Sequence, residues 1–278
     1  MPYSEPETLV QVKKAILPEI LDATLLIVRV EGEQEPKFKV DRSGVFFRIA
    51  REYFILTAAH KIDQRIKTNT PLCVAVEGDP HVVELIGSDF HGTESHGRDI
   101  AIIRLTQEKA EQICISKVPL TLSKIDRCPR ECNNFFLTAG YPQEWFSHGD
   151  YGFNLVPVSF FGRPFEGDPS PFVGHEYNSS IHGAFEFDAN PIRSSDSLTV
   201  FLPDFNGMKG ISGCGIWRIY HNPAATGEFP NSYSLSAIEH RYDRSNKYVL
   251  GTWIEIVMQR LLGEYPSLSS SFKFQYPT

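Results

Sequence analysis

The sequence predicts an all-β protein made of many short strands. Short apolar runs alternate with polar turns along most of the chain, and no long helical stripe of apolar residues interrupts them. Many short strands of this kind build a sandwich or barrels. The predicted strands are Leu25–Val30, Gly44–Ile49, Tyr53–Leu56, Leu72–Val76, Val82–Leu85, Ile100–Leu105, Asn134–Ala139, Thr199–Leu202, Gly215–Tyr220, Tyr233–Ile238 and Tyr248–Ile256.

Helices are expected as minor elements. Apolar residues at helical spacing predict a short helix over Glu7–Leu21, which Pro18 interrupts near its end. Thr106–Cys114 is long enough for one or two helical turns, and Ile254–Leu262 has the composition of a closing helix. The segment 145–197 is rich in Gly, Pro, Ser and Asn, which predicts a long loop system or irregular hairpins.

Charge and apolar content exclude two classes of partner. The chain has 278 residues and a formal net charge of −7, without a long basic run, which argues against general binding to a nucleic-acid backbone. Met1–Glu7 carries acidic residues and prolines where a secretory signal would carry basic and then apolar residues. No apolar run approaches the roughly 20 residues of a membrane-spanning helix. We therefore expect a cytoplasmic protein without a membrane span.

The five cysteines form an odd set without the dense, even spacing of a disulfide-stapled domain. This pattern predicts free thiols in a reducing compartment. Cys128 and Cys132 are close enough in sequence to share a metal, but no second Cys or His pair stands at zinc-finger spacing nearby. We expect ordinary buried or half-buried thiols there, no metal site and no cofactor.

Three separated residues supply the chemistry of amide hydrolysis. His60 follows an apolar strand and a small-residue corner, and Asp99 stands directly before the apolar strand that begins at Ile100. Ser212 lies among glycines, whose unusual backbone angles let consecutive amides point at one spot. The predicted roles are nucleophile for Ser212, general base for His60 and orienting carboxylate for Asp99, with the Gly210 and Ser212 amides as oxyanion donors.

These motifs resemble the trypsin-like, or chymotrypsin-fold, serine peptidases. The letters TAAH end at His60, DIAIIRL begins at Asp99 and GISGCG surrounds Ser212, and their order along the chain is that of the family. The strand end Ala139-Gly140-Tyr141-Pro142 also looks like one seen in intracellular and bacterial members.

The resemblance implies two six-stranded antiparallel β-barrels with short N-terminal and C-terminal helices. The first barrel, with His60 and Asp99, would occupy residues 22–125, after an N-terminal helical extension of residues 1–21. The second, with Ser212, would occupy residues 126–265 and contain the long 145–197 loop insertion. Residues 266–278 would form an extended or frayed tail.

The implied activity is that of a serine endopeptidase that cleaves protein or peptide substrates through an acyl-enzyme intermediate and needs no cofactor. Regulation by a protein partner is expected, with a role in bacterial signalling or defence. Ile211 stands where animal members carry an aspartate that pairs with a newly cut N-terminus. Activation by that ion pair is therefore not expected.

The substrate pocket is a further expectation from the resemblance. Asn206 lies near the family's pocket floor, and the strand that ends in Ile238, Glu239 and His240 resembles the strand lining the substrate channel. A pocket without an obvious acid at its floor argues against a preference for Lys or Arg. If His240 and Arg241 face it, Gln or an acidic residue would be favoured.

Two other functions compete with this one. A catalytically latent or inactive member of the same fold would be a protein-binding module that uses the 145–197 segment as its surface. An α/β-hydrolase esterase would require the order nucleophile, acid, histidine and alternating helices and parallel strands, and both requirements fail in this sequence.

Overall fold

The computed structural model describes most of the chain. The described residues are 15–32, 37–60, 62, 65, 68, 70–76, 78, 81–94, 98–130, 135–149, 152–165, 167, 177–187, 192–193, 208–220, 232–243 and 248–275. The predicted strand Thr199–Leu202 and most of the predicted helix Glu7–Leu21 lie outside them.

The N-terminal half forms a curled sheet. Its strands are β1 (Thr24–Glu31), β2 (Lys37–Ile49), β3 (Glu52–Thr57), β4 (Leu72–Ala75), β5 (Val82–Glu84), β6 (Asp89–Thr93), β7 (Ile100–Arg104) and β8 (Leu120–Thr121). Neighbours follow the antiparallel order β5-β4-β1-β2-β3-β7-β6, and β8 pairs with β2 in parallel.

The C-terminal half forms a closed antiparallel barrel. Its region contains β9 (Phe135–Gly140), β10 (Phe146–Gly149), β11 (Gly152–Leu155), β12 (Val158–Pro164), β13 (His182–Phe187), β14 (Ile192–Arg193), β15 (Gly215–Tyr220), β16 (Ser232–Asp243) and β17 (Tyr248–Trp253). The order is β13-β17-β16-β15-β9-β12, and the pairing of β12 with β13 closes the ring of six strands. The strands β10 and β11 form a separate hairpin, and β14 pairs with β12.

The described residues contain four short α-helices: α1 (Leu17–Asp22), α2 (Gln107–Cys114), α3 (Ile254–Glu264) and α4 (Ser269–Gln275). Within the described part of the chain, no helix has the length and apolar character needed to cross a membrane. Pro18 lies in the first turn of α1, where its missing N–H costs no helical hydrogen bond.

The prediction of a mostly β architecture with short helices is confirmed, and one six-stranded antiparallel barrel is present. The first sheet differs from the prediction, because it has eight strands and the described residues show no pairing of β5 with β6. The two edge strands of this sheet offer little surface for pairing with a further strand. Strand β5 has only three residues, and every residue of β6 is at least partly exposed.

Two segments are more regular than their composition predicted. The strands β10 to β14 all lie in the segment expected to be a long loop or irregular hairpins, and two of them, β12 and β13, complete the barrel. The tail contains α4 because it has apolar residues to bury: Leu268 is buried, and Phe272 packs against the main core. Composition alone missed these contacts.

The main apolar core joins the two sheets. It includes Leu56 of β3, Leu137 of β9 and Trp217 of β15, and α3 adds Val257 and Leu261 from the side. Because one cluster contains residues of both halves, its packing fixes how the end of β3 faces the loop before β15. This seam is where the candidate site lies.

We predict that Leu261→Ala lowers the free energy of unfolding by about 2–5 kcal/mol, because Leu261 is completely buried and truncation leaves a cavity in the shared core. Urea denaturation followed by circular dichroism measures the change. Ile115→Ala is the matched control, since Ile115 is 85% exposed, and it should change stability by less than about 0.5 kcal/mol. Equal effects of the two substitutions would contradict the assigned core.

Candidate active site

The turn that carries His60 is held in place by a buried arginine. Strand β3 ends at Thr57, and Ala58, Ala59 and His60 follow it. Arg42 of β2, which is only 2% exposed, donates from Nη1 to the carbonyl of Ala58 (2.5 Å) and from Nη2 to that of His60 (2.8 Å). A planar guanidinium with several donors suits this fork of two carbonyls.

Asp99 holds the histidine through both carboxylate oxygens. Its Oδ2 lies 2.6 Å from His60 Nδ1, and its Oδ1 accepts from the backbone N–H groups of Ala59 (2.5 Å) and His60 (2.8 Å). Burial alone would raise the pKa of Asp99, but the hydrogen bonds and charge of His60 outweigh it and hold that pKa below its usual value. Asp99 is therefore ionised at neutral pH.

An ionised Asp99 selects the histidine tautomer. A carboxylate can only accept, so His60 Nδ1 carries the proton that it donates to Asp99. The other nitrogen, Nε2, is then an acceptor, and it lies 3.3 Å from the Ser212 hydroxyl oxygen. The side chain of His60 is 34% exposed and Ser212 is partly exposed, so the pair lies near the surface.

The loop around Ser212 requires glycine at two positions. Gly210 and Gly213 have φ values of 99° and 90°, in the region that favours glycine. A Cβ atom on Gly213 would also lie 1.9 Å from the hydroxyl oxygen of Thr57, so a side chain there would collide with the end of β3. These glycines let the serine loop approach the first sheet closely.

Ser43 ties this loop to strand β2. It is completely buried, its N–H donates to the Ser212 carbonyl (2.9 Å), and its hydroxyl donates to the Gly210 carbonyl (2.9 Å). The same hydroxyl accepts from the N–H of Tyr141 (2.9 Å), and the Ser43 carbonyl accepts from the Thr57 hydroxyl (2.7 Å). Sequence reasoning missed Ser43, because a lone serine inside a strand carries no signal of contacts so distant in sequence.

The predicted oxyanion donors have no acceptor among the described residues. The N–H groups of Ile211, Gly213 and Cys214 each donate to a backbone carbonyl, whereas those of Gly210 and Ser212 donate to no described residue. Ile211 itself is 1% exposed and packs in the core of the C-terminal barrel beside Cys214. The loop is thus anchored by an apolar side chain while two amides stay available.

Only part of the predicted substrate pocket can be located. Asn206 lies outside the described residues. Ile238 is completely buried in the core that joins the sheets, so packing occupies its side chain. The pairing of β16 with β17 shifts between Glu239 and Arg241, which leaves His240 as the extra residue of a bulge. The preference for Gln or an acidic residue stays a prediction.

A second histidine, which the sequence did not single out, lies beside His240. The rings of His182 and His240 have centroids 5.3 Å apart, and the carbonyl of His240 is 3.5 Å from the Ser212 hydroxyl oxygen. His182 is buried on β13, and its Nδ1 accepts from the N–H of Asn178 (3.0 Å). Its strand lay in the segment predicted to be a loop, so no periodic pattern pointed to it.

Two buried titratable groups border the site. Glu239 is 1% exposed, its Oε2 has no hydrogen-bond partner among the described residues, and burial together with the charge of Asp99 raises its pKa to about 8. Burial lowers the pKa of His240 to about 4, which outweighs the opposite effect of Asp99. Near neutral pH both groups are therefore uncharged, and Asp99 carries the local negative charge.

No three His, Cys, Asp or Glu side chains in the described ranges are grouped as metal ligands. Cys73, Cys114, Cys128 and Cys214 are free thiols, and Cys132 lies outside those ranges. The prediction of a buried or half-buried thiol is wrong for Cys128, which is exposed.

We predict that Glu239→Gln makes stability less dependent on pH. The folded protein keeps the Glu239 proton up to about pH 8, whereas the unfolded chain loses it near pH 4.5, so folding becomes less favourable as pH rises between these values. The wild-type protein should lose a few kcal/mol across this window relative to the variant, measured by urea denaturation at successive pH values. Glu108→Gln on the exposed face of α2 is the control and should follow the wild type. Parallel curves for wild type and Glu239→Gln would contradict the buried neutral carboxyl.

Comparison with known proteins does not identify a family for this chain. No protein-family model matches the chain, and no curated protein matches it. Among the solved structures 377 chains match. One of these is described as "Aromatic interactions drive the coupled folding and binding of the intrinsically disordered Sesbania mosaic virus VPg protein", with a TM-score of 0.44 and 10% sequence identity over 84% of this chain and 87% of that one.

Proposed function

We propose that this protein is a serine endopeptidase of the trypsin-like, chymotrypsin-fold type. The observation that carries the proposal is the continuous contact from Asp99 to His60 (2.6 Å) and from His60 to Ser212 (3.3 Å). Three residues brought together from across 152 positions of sequence, with donors and acceptors in the right sense, form the arrangement that acyl transfer requires. The motif order described above supports the same function.

The first chemical step is acylation of Ser212. The hydroxyl oxygen attacks the carbonyl carbon of the scissile peptide while its proton passes to His60 Nε2. Asp99 stabilises the resulting imidazolium through Nδ1–H and keeps the ring in place. The imidazolium then gives its proton to the leaving amine, which releases the first product and leaves an ester on Ser212.

The second step hydrolyses this ester. A water molecule gives a proton to His60 Nε2 and attacks the acyl carbon, and the proton returns to the Ser212 oxygen as the acid product leaves. In both steps the negative oxygen of the tetrahedral intermediate would accept from the N–H groups of Gly210 and Ser212, which have no acceptor among the described residues. Donors of this kind contribute about 10²–10³-fold to the rate.

Apolar packing of Ile211, rather than an ion pair, holds the loop that carries Ser212. Its side chain is packed in the barrel core, where the animal enzymes use an aspartate and a new N-terminus. The hydrogen bonds of Ser43 fix the other side of the same loop. We therefore propose that a protein partner, rather than N-terminal cleavage, controls the activity. The resemblance implies a signalling or defence peptidase that acts on a protein substrate in the cytoplasm.

We predict that Ser212→Ala abolishes both labelling by a fluorophosphonate probe and cleavage of a peptide library, with a loss of at least about a thousandfold. The alanine removes the nucleophile but leaves the loop backbone unchanged. Ser123→Ala is the control, because Ser123 is exposed and its hydroxyl bonds only to that of Thr121 within the described residues; this variant should be labelled and should cleave as the wild type does. Absence of labelling and cleavage in the wild type as well would favour the latent binding module.

We also predict that Ser43→Ala slows the chemical step about tenfold, since the Gly210 carbonyl and the Tyr141 amide both lose their partner. The Ser43 N–H still donates to Ser212, so the loop stays close to β2 but is less precisely held. Steady-state kinetics should show a lower kcat with KM within about twofold. A rise in KM at constant kcat would contradict a role in positioning the loop.

A further inference from the structure

A cleft lies beside the segment that carries Asp99. It has a volume of about 310 Å³ and is bordered by the start of β7 and the C-terminal half of α3. Arg98 and Ile100 line it from one side and Ile256 and Arg260 from the other. Alternate residues of an extended segment face opposite sides, so Asp99 faces His60 while its two neighbours border the cleft.

Among the described residues that line this cleft, the one acidic side chain is already paired. Glu264 places Oε1 2.6 Å from Arg260 Nη2 and Oε2 2.9 Å from His91 Nδ1. Its charge is thus balanced by Arg260 before any ligand is present. The second arginine, Arg98, is then an excess positive charge at the cleft.

Two cationic side chains retain unused donors. The Nε atom of Arg260 is buried and has no hydrogen-bond partner among the described residues, although the rest of its guanidinium pairs with Glu264. Arg98 is exposed and forms no ion pair within the described part of the chain. The buried Nε is out of reach of a ligand, but the Arg260 side chain is 38% exposed, so the rest of its guanidinium can contact an anion beside Arg98.

We propose that this cleft binds an oxyanion, the carboxylate or phosphate group of a small molecule, between Arg98 and Arg260. Guanidinium groups recognise such groups through paired, charge-assisted hydrogen bonds. The amide of Gln259 and the apolar side chains of Ile100 and Ile256 complete a wall that suits a small organic anion rather than a bare ion. This site is separate from Ser212, and its occupancy does not depend on the proposed peptidase activity.

Isothermal titration calorimetry of the full chain at low ionic strength tests the proposal, with inorganic phosphate in one arm and succinate in the other. We expect millimolar binding in at least one arm, and the arm with the tighter binding identifies the preferred group. Arg98→Gln and Arg260→Gln should each weaken that binding about tenfold, in line with the loss of one charge-assisted hydrogen bond.

Arg51→Gln is the matched control, because Arg51 is an exposed arginine in the β2–β3 turn, outside the residues that line the cleft. The Arg51→Gln variant should bind the anion as tightly as the wild type. Arg98 is itself exposed, so Arg98→Gln tests the cleft even if Arg260→Gln impairs folding. No heat in either arm, or equal weakening by Arg51→Gln and Arg98→Gln, would overturn the proposal. Either outcome leaves the labelling of Ser212 unaffected and is thus separable from it.

Discussion

Strand β2 carries the constraint on which the candidate site depends. Two consecutive residues of β2 hold the two parts of the site in place. Arg42 donates hydrogen bonds to the turn of His60, and Ser43 donates hydrogen bonds to the loop of Ser212. Successive side chains of a strand point to opposite faces, so one short stretch can reach both partners. Both residues are buried, where an unpaired polar group is costly, and this gives the hydrogen bonds a strong preference for one geometry.

Electrostatics at the site follow from how much of each group is buried. Asp99 keeps its charge because His60 and two backbone amides surround it with donors. Glu239 has no such donors at Oε2, so burial keeps it protonated near neutral pH. Two adjacent carboxyls with separated pKa values leave a single negative charge beside His60, which is the charge that an orienting carboxylate needs.

The sequence predicted features that depend on local patterns. The strands around His60 and Ser212 have apolar runs, and the glycines beside Ser212 match the positive φ values of Gly210 and Gly213. Prediction from the sequence failed for residues whose burial depends on contacts with distant parts of the chain. The strands β12 and β13 are Gly- and aromatic-rich and become regular only by pairing within the barrel, and the tail forms α4 against a core built elsewhere. Ser43 and His182 belong to the same class, since their partners lie far along the chain.

Anchoring the serine loop through Ile211 has physical consequences that differ from those of an ion pair. Burying an isoleucine side chain contributes about 1.5–3 kcal/mol and does not change between acidic and neutral pH. An aspartate at that position would need a partner cation in the barrel core, because a buried charge without one is strongly unfavourable. Ile211 instead packs beside Met208 and Cys214, so apolar contacts and the Ser43 hydrogen bonds hold the loop from opposite sides. Within the described part of the chain, the peptide units at Gly210 and Ser212 are thereby fixed without the use of their N–H groups, as the proposed oxyanion site requires.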